Sequence, residues 1–311
     1  TDEKVISPSV SLMQKDKNTD NVRISYESPK TPSRVFEYNL KDKNKKLVKE
    51  QEIPSGHERN NYIVERINCD SHDGRKIPIT ITYHKNTKLD GSANLLMYGY
   101  GSYGNSMTPT FSTSRLSLID RNIIWATCHI RGGLERGMSW WREGKMLNKK
   151  NTFKDFISCA KFLIEKKYTS KKKIIVYGGS AGGLLIGNVV NEEPDLFLGA
   201  INAVGFLEPL QTNLRHELPL TKGEFKEFGD AKNNKEHFEY IKSYDPIQNI
   251  ESKDYPHILI TTSLSDSRVL FDEPTKYCAK LRDYKTDNNL LLLKCEMDAG
   301  HGSRSGRKNI I

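Results

Sequence analysis

The segment that decides the fold is KKIIVYGGSAGGLLIGNVVN, residues 172–191. Its first part, up to Tyr177, is an apolar run typical of a buried strand, and the part from Ala181 to Asn191 has the character of a helix. Between them lies Gly178-Gly179-Ser180-Ala181-Gly182, a G-x-S-x-G string at a strand-to-helix turn. Small neighbours allow a strained turn to expose a hydroxyl, and the helix N-terminus offers N–H groups to a developing oxyanion. The segment therefore predicts Ser180 as a nucleophile.

On both sides of this segment, strands alternate with helices from about Tyr62 onward. Helices are predicted at 152–167, 181–191 and 273–283, and in the first of them the apolar residues lie largely on one side. Eight apolar or β-branched runs predict strands, and they read YIVERI, IPITITY, ANLLMYGY, NIIWATCHI, KKIIVYGGS, GAINAV, HILITTS and NLLLLKCEM. Such alternation predicts an α/β fold with a doubly wound, mostly parallel sheet.

A serine nucleophile needs a base and an acid that orients the base. In this kind of fold they follow in the order serine, acid, histidine, on loops after later strands. Asp266 comes shortly after the predicted strand at 257–263, and His301 comes shortly after the one at 290–296. The order and the positions predict Asp266 as the acid and His301 as the general base.

A second glycine-rich string, GYGSYG at 99–104, matches G-x-G-x-x-G. A dinucleotide site would need a helix directly after it and an acid at the end of the next strand. Instead a stretch containing Pro109 follows, and Asp120 precedes its strand. The string is better interpreted as the loop that supplies a second oxyanion donor, with Tyr100 contributing its hydroxyl.

The first sixty residues have a different character. Three β-leaning segments, VRISYES, SRVFEYNL and KKLVKEQEI, are separated by turn-forming residues. They predict an antiparallel meander of about three strands, which is too small to be stable alone. Residues 54–61 resemble a linker.

Composition excludes several classes of protein. The 311 residues are 36% hydrophobic, contain no apolar run long enough to span a bilayer, and do not begin with a signal-peptide pattern. The net charge of +9 comes mainly from short lysine runs without interleaved aromatics, which indicate a solvated surface and not a nucleic-acid site. The five scattered cysteines favour a reducing compartment, and we expect a cytoplasmic protein without a membrane partner.

Several strings together resemble the oligopeptidase B branch of the prolyl oligopeptidase family, over almost the whole chain. They are MYGYGSYGNSM, HIRGGLERG, YGGSAGGLLIGNVVN, LPLTKGEFKEFGD, SDSRV and GHGSRSGR. The resemblance implies an α/β-hydrolase peptidase domain at 61–311, short of the family's closing helix, and a remnant of the last blade of an N-terminal β-propeller, with a linker, at 1–60. The absent remainder of that propeller would be a partner of this chain. Without it, we expect the fragment to be poorly active or prone to aggregate.

The resemblance also implies roles for individual residues. Hydrolysis of short peptides after Arg or Lys would proceed without metal or cofactor. The implied triad is Ser180, Asp266 and His301, and the implied oxyanion donors are the Tyr100 hydroxyl and the Ala181 N–H. Substrate contacts are expected from Glu224 at the main specificity position, from Glu227, and from Arg268, which would bind a substrate carbonyl.

Two departures from the family pattern concern a second basic residue in the substrate. Lys226 stands where a further acid is usual, and Thr108-Pro109-Thr110 stands where an Asp-x-Asp pair is usual. We therefore expect cleavage at single basic residues, with a weaker dibasic preference.

Three other hypotheses stay open at this stage. The same triad would serve a peptidase with specificity for proline or an esterase acting on small molecules. A catalytically silent interaction protein that keeps the fold is a hypothesis from another class, and an intact triad argues against it.

Overall fold

The computed structural model describes residues 3–12 and 19–302. By packing, the chain divides into two units. The first comprises residues 1–67, 79–87 and 108–127, and the second comprises 68–78, 88–107 and 128–311.

The N-terminal part of the first unit is a four-stranded antiparallel sheet in the order β1-β2-β3-β4. Its strands are β1 Ser7–Leu12, β2 Asn21–Ser28, β3 Thr31–Asn39 and β4 Lys45–Glu50. Tyr26 and Phe36 stack across β2 and β3 with ring centroids 5.7 Å apart. Three of these strands match the predicted meander. The sequence SPSVSL of β1 was not predicted, because its serines and proline are weak strand formers.

All eight strands predicted after Tyr62 are present. They are β5 Tyr62–Asp70, β6 Lys76–His84, β7 Leu95–Tyr98, β8 Ile124–Cys128, β9 Ile174–Gly179, β10 Phe197–Ala203, β11 His257–Ser263 and β12 Leu291–Glu296.

Five neighbouring strands within the second unit, from β12 to β7, run parallel. Strand β9 lies between β10 and β7, with Val176 paired to Ala200 on one side and to Met97 on the other. All three side chains are buried. This position explains why β9 is almost continuously apolar, since a central parallel strand is covered on both faces.

The structure contains eight α-helices among the described residues. They are α1 Thr113–Ile119, α2 Met138–Arg142, α3 Lys150–Glu165, α4 Ala181–Glu192, α5 Pro209–Leu214, α6 Thr221–Phe228, α7 Lys235–Lys242 and α8 Asp272–Tyr284. The three predicted helices correspond to α3, α4 and α8. Helix α4 packs against β9, β10 and α3, which explains its apolar character on all sides. None of the described helices is both long and apolar enough to cross a membrane.

Candidate active site

Ser180 occupies the turn between β9 and α4 in a strained conformation, with φ +55° and ψ −123°. Its N–H donates to the Ala203 carbonyl (2.9 Å), and its own carbonyl accepts the N–H groups of Gly183 (2.8 Å) and Phe206 (3.0 Å). Because three backbone hydrogen bonds hold this residue, the surrounding structure compensates for a conformation that L-residues rarely adopt.

Close packing demands glycine at the first position of the motif and favours it at the last. A Cβ atom built on Gly178 would lie 2.3 Å from the Gly182 carbonyl oxygen, and one built on Gly182 would lie 3.0 Å from the Gly99 carbonyl oxygen. The strand and the first turn of the helix therefore approach each other more closely than any side chain permits. This contact gives the physical reason for the G-x-S-x-G spacing.

Asp266 and His301 are brought together by the parallel pairing of β11 with β12, whose C-terminal residues Ser263 and Glu296 are register partners. The Asp266 side chain is fully buried, and its Oδ2 lies 2.7 Å from His301 Nδ1. Its Oδ1 accepts the N–H groups of Arg268 (2.9 Å) and Val269 (3.0 Å). An acid held in this way orients the imidazole with Nδ1 as the donor, which leaves Nε2 as the basic nitrogen.

The serine and the histidine of the predicted triad are not hydrogen-bonded to each other in this structure. Among the described residues, His301 is hydrogen-bonded to Asp266, and no hydrogen bond joins it to Ser180. Nucleophile–base hydrogen bonds are often long in ligand-free sites and shorten once substrate is bound. The predicted proton transfer therefore requires a hydrogen bond between Ser180 and His301 that this structure does not contain.

A cavity of about 330 Å³ opens at the Ser180 turn. Five of the residues singled out from the sequence line it: Tyr100, Ser180, Ala181, Glu224 and Arg268. Further lining residues were not predicted, and they are Tyr103, Asn105, Phe206, Leu220 and Val269. The cavity therefore combines the nucleophile, both expected oxyanion donors and an acidic side chain.

Tyr100 contributes a largely buried hydroxyl next to the nucleophile. Burial raises the pKa of this tyrosine, and hydrogen bonds with Asn105 and Ser180 partly oppose the shift. A hydroxyl that stays protonated can donate to an oxyanion. On the other side of the turn, Ala181 is the first residue of α4, so its N–H has no partner within the helix.

Glu224 lies on α6 and faces the cavity. Its Oε1 accepts a hydrogen bond from the Tyr103 hydroxyl at 3.0 Å. Burial raises the pKa of this carboxyl, the Tyr103 bond opposes the shift, and the negative charge of Glu227 adds to it. A carboxylate that has lost part of its hydration in this way favours a cationic partner.

Glu227 has different surroundings from those expected of a substrate-binding residue. It does not line the cavity, and its side chain is only 3% exposed. Its Oε1 accepts the Tyr103 N–H (3.0 Å) and lies 3.5 Å from the Lys149 ammonium, while Oε2 accepts the Trp141 indole N–H (2.8 Å). Both carboxylate oxygens of Glu227 are thus bound by other groups of the protein. Lys226, between the two acids, is exposed.

The arrangement is that of an α/β hydrolase: a strained serine directly follows a central parallel strand, and an acid and a histidine come after later strands. The chain belongs to the prolyl oligopeptidase family, whose model matches residues 109–311. It is 43% identical over 298 residues to Protease 2 of Moraxella lacunata, covering 96% of this chain and 43% of that protein.

Two further comparisons agree with this family. The chain is 41% identical to dipeptidyl aminopeptidase BI of Pseudoxanthomonas mexicana, covering 93% of this chain and 40% of that protein. Its fold is similar to the structure of oligopeptidase B from Leishmania major, with a TM-score of 0.90 at 39% identity, covering 97% of this chain and 42% of that one. The chain thus spans about two fifths of the length of the relatives it matches.

Proposed function

We propose that this protein is a serine oligopeptidase that hydrolyses short peptides after Arg or Lys. The observation that carries the proposal is the Glu224 carboxylate on the wall of the cavity that contains Ser180. A partly desolvated carboxylate gains a strong, charge-assisted contact from a guanidinium or ammonium group and is left unpaired by an apolar side chain. Selectivity for a basic residue next to the scissile bond follows from that difference.

The proposed chemistry is acyl transfer. Ser180 Oγ attacks the scissile carbonyl carbon while His301 Nε2 takes its proton, and the carbonyl π electrons move to the oxygen. When the tetrahedral intermediate collapses, the C–N bond breaks, and His301 gives the proton to the leaving amine. Water then attacks the acyl-enzyme with His301 again acting as base, which releases the acid product and restores Ser180.

The expected oxyanion donors are supported by their positions at the cavity. Tyr100 and Ala181 both line it beside Ser180. Donors that are already in place before the charge develops need no reorganisation during the reaction, and one such donor is worth on the order of 10²–10³ in rate.

Arg268 is proposed to bind a substrate carbonyl. Its backbone N–H is fixed by Asp266 Oδ1, so its side chain begins at the acid of the triad and lines the same cavity. Because Glu227 is occupied within the protein and Lys226 is exposed, Glu224 is the acidic side chain of α6 that the cavity offers to substrate. This supports cleavage at single basic residues.

We further propose that the N-terminal sheet is one blade of a β-propeller that would restrict the reaction to short peptides. The support is twofold: β1 to β4 form a four-stranded antiparallel sheet in sequential order, as in a propeller blade, and the chain spans about two fifths of its relatives. The propeller would then be a partner of the catalytic unit.

The test is kcat/KM of the protein, in the full length in which it is expressed, on matched peptide amides with Arg, Phe or Pro before the scissile bond. We expect Arg to be preferred by about 10²-fold or more and this preference to be lost in Glu224→Gln. Ser180→Ala serves as the blank. Preference for Pro would assign the prolyl specificity, and turnover of small esters alone would assign an esterase. Turnover unchanged in Ser180→Ala would contradict the proposed chemistry.

A further inference from the structure

Lys149 is a fully buried lysine just before α3. Its side chain is 1% exposed, and its ammonium donates to the Gly101 carbonyl (2.7 Å) and to Ser102 Oγ (2.7 Å). The third neighbour is Glu227 Oε1 at 3.5 Å. Two of the three partners therefore lie in the turn that directly follows Tyr100.

Glu227 holds the same turn at its other end. It accepts the backbone N–H of Tyr103, and the indole N–H of Trp141 satisfies its second oxygen. The turn from Gly101 to Tyr103 is thus bound through a carbonyl by the cation and through an N–H by the anion. A single ion pair fixes both ends of a three-residue turn.

The turn itself needs such support. Gly101 and Tyr103 both have positive φ, +69° and +58°, and the second value is unusual for a residue with a side chain. A Cβ atom on Gly101 would lie 2.3 Å from the Thr152 side chain, so the backbone is pressed closely against its neighbours. A positive φ at a residue with a side chain, such as Tyr103, persists only where the surrounding structure holds it.

We propose that Lys149 and Glu227 form a positioning pair that aims the Tyr100 hydroxyl at the oxyanion and the Tyr103 hydroxyl at Glu224. This inference rests on the proposed function, since it assumes that Tyr100 acts as an oxyanion donor. Glu227 and Glu224 are three residues apart on α6 and therefore lie on the same side of the helix. Through Tyr103, whose N–H binds one acid and whose hydroxyl binds the other, the pair links substrate recognition to the oxyanion donor.

A gain in the stability of the fold is a weak explanation for the burial of Lys149 and Glu227 as an ion pair. Removing two charges from water is costly, and well-packed apolar residues of similar volume often stabilise a protein as much or more. Burial lowers the pKa of Lys149, and the charge of Glu227 opposes that shift. What the pair offers beyond an apolar contact is directional bonding to both ends of the turn.

The test is a double-mutant cycle between Lys149→Met and Tyr100→Phe, measured on an Arg peptide amide and on a p-nitrophenyl ester that does not need the basic side chain. We expect Lys149→Met to lower kcat by about 10²-fold, as for loss of one oxyanion donor. In the Tyr100→Phe background the same change should cost less than about 5-fold, because the hydroxyl it positions is already missing. Multiplicative effects in the cycle would overturn the inference.

Lys285→Met is the matched control, because Lys285 also forms a largely buried ion pair, with Asp287 at 2.7 Å, but contacts neither the turn nor α6. It should leave kcat within about 2-fold. If Lys149→Met does not fold, Glu227→Gln takes its place, with an expected loss of about 10-fold and the same non-additivity with Tyr100→Phe. Activity on the ester without activity on the Arg amide would contradict the proposed specificity. The double-mutant cycle measured on the ester would then decide whether Lys149 positions Tyr100. Inactivity of the unmodified protein on both substrates would overturn the proposed function and the pair together.

Discussion

The Asp266 carboxylate is bound on both of its oxygens, by His301 Nδ1 at 2.7 Å and by two backbone N–H groups of its own loop. This acid therefore cannot rotate away from the histidine without breaking two other hydrogen bonds. The orientation of the imidazole is set by backbone geometry at the end of β11, and it does not depend on a flexible side chain.

Asp266→Asn should lower kcat on the order of 10⁴-fold while leaving the fold intact, as the same change does in another serine triad. The asparagine oxygen can keep the backbone N–H groups, but its amide would face His301 Nδ1 as a donor and favour the wrong tautomer. Kinetics on an Arg peptide amide, together with the circular dichroism spectrum of the variant, check this. A loss of less than 10-fold would show that the acid does not orient the base.

Gly178→Ala should destabilise the protein by about 1–3 kcal/mol, because the new methyl group would overlap the Gly182 carbonyl oxygen and the backbone would have to shift. Gly223→Ala is the control, since it lies inside α6 with nothing within 4 Å of the added atom, and alanine there should stabilise slightly. Chemical denaturation of both variants gives the comparison. Equal midpoints would refute the packing argument.

The preference for Arg substrates should depend on pH, because it depends on the charge of the Glu224 carboxylate. Burial raises the pKa of this carboxyl above its usual 4.5, so the group loses its charge on acidification earlier than an exposed glutamate does. The advantage of Arg over Phe substrates, as a ratio of kcat/KM values, should therefore fall as the pH is lowered through that raised pKa. Taking the ratio removes the titration that is common to all substrates. In Glu224→Gln the ratio should not vary with pH.

Glu273 should make the protein less stable as the pH rises. This carboxyl, buried on α8, accepts the N–H groups of Leu207 and Glu208 and a bond from Thr212, and burial raises its pKa to about 8. Between its unfolded value of 4.5 and about 8, the folded state retains a proton that the unfolded chain has lost. The free energy of unfolding should then fall by up to about 1.4 kcal/mol per pH unit from this group.

Glu273→Gln is the variant that isolates this effect, because a neutral amide has no proton to lose in this range. The difference between the variant and the unmodified protein, measured by urea denaturation at several pH values from 5 to 8, should grow in favour of the variant. A constant difference would mean that Glu273 is ionised in the folded protein.

Local patterns were sufficient to predict the turn at Ser180, since its strand, glycines and helix are consecutive in sequence. The eight strands could be predicted equally well, because an apolar run between turn-forming residues is recognised from the sequence without knowledge of tertiary contacts. Short polar helices such as α6 and α7 were missed, since their helical state depends on packing more than on pattern.

The parts of the site that could not be predicted depend on contacts between distant segments. Tyr103 meets Glu224 across 121 positions of sequence, and Lys149 meets Glu227 across 78. Glu227 was expected at the substrate because it follows Glu224 in the same acidic string. Only the folded chain shows that three residues along α6 separate a side chain in the cavity from one enclosed by the protein. A lysine three residues before the helix predicted at 152–167 was the available signal, and it is too common to be informative.

Among the described residues, strand β12 pairs only with β11, and its Leu292 is half exposed. His301 follows this strand, so fraying of one edge would withdraw the base while the nucleophile and the oxyanion donors stayed in place. Edge segments open at a lower free energy than the core does. In the proposed mechanism, the competent population would then be set by the local opening equilibrium of β12, and mild denaturant is expected to lower the activity before the protein unfolds.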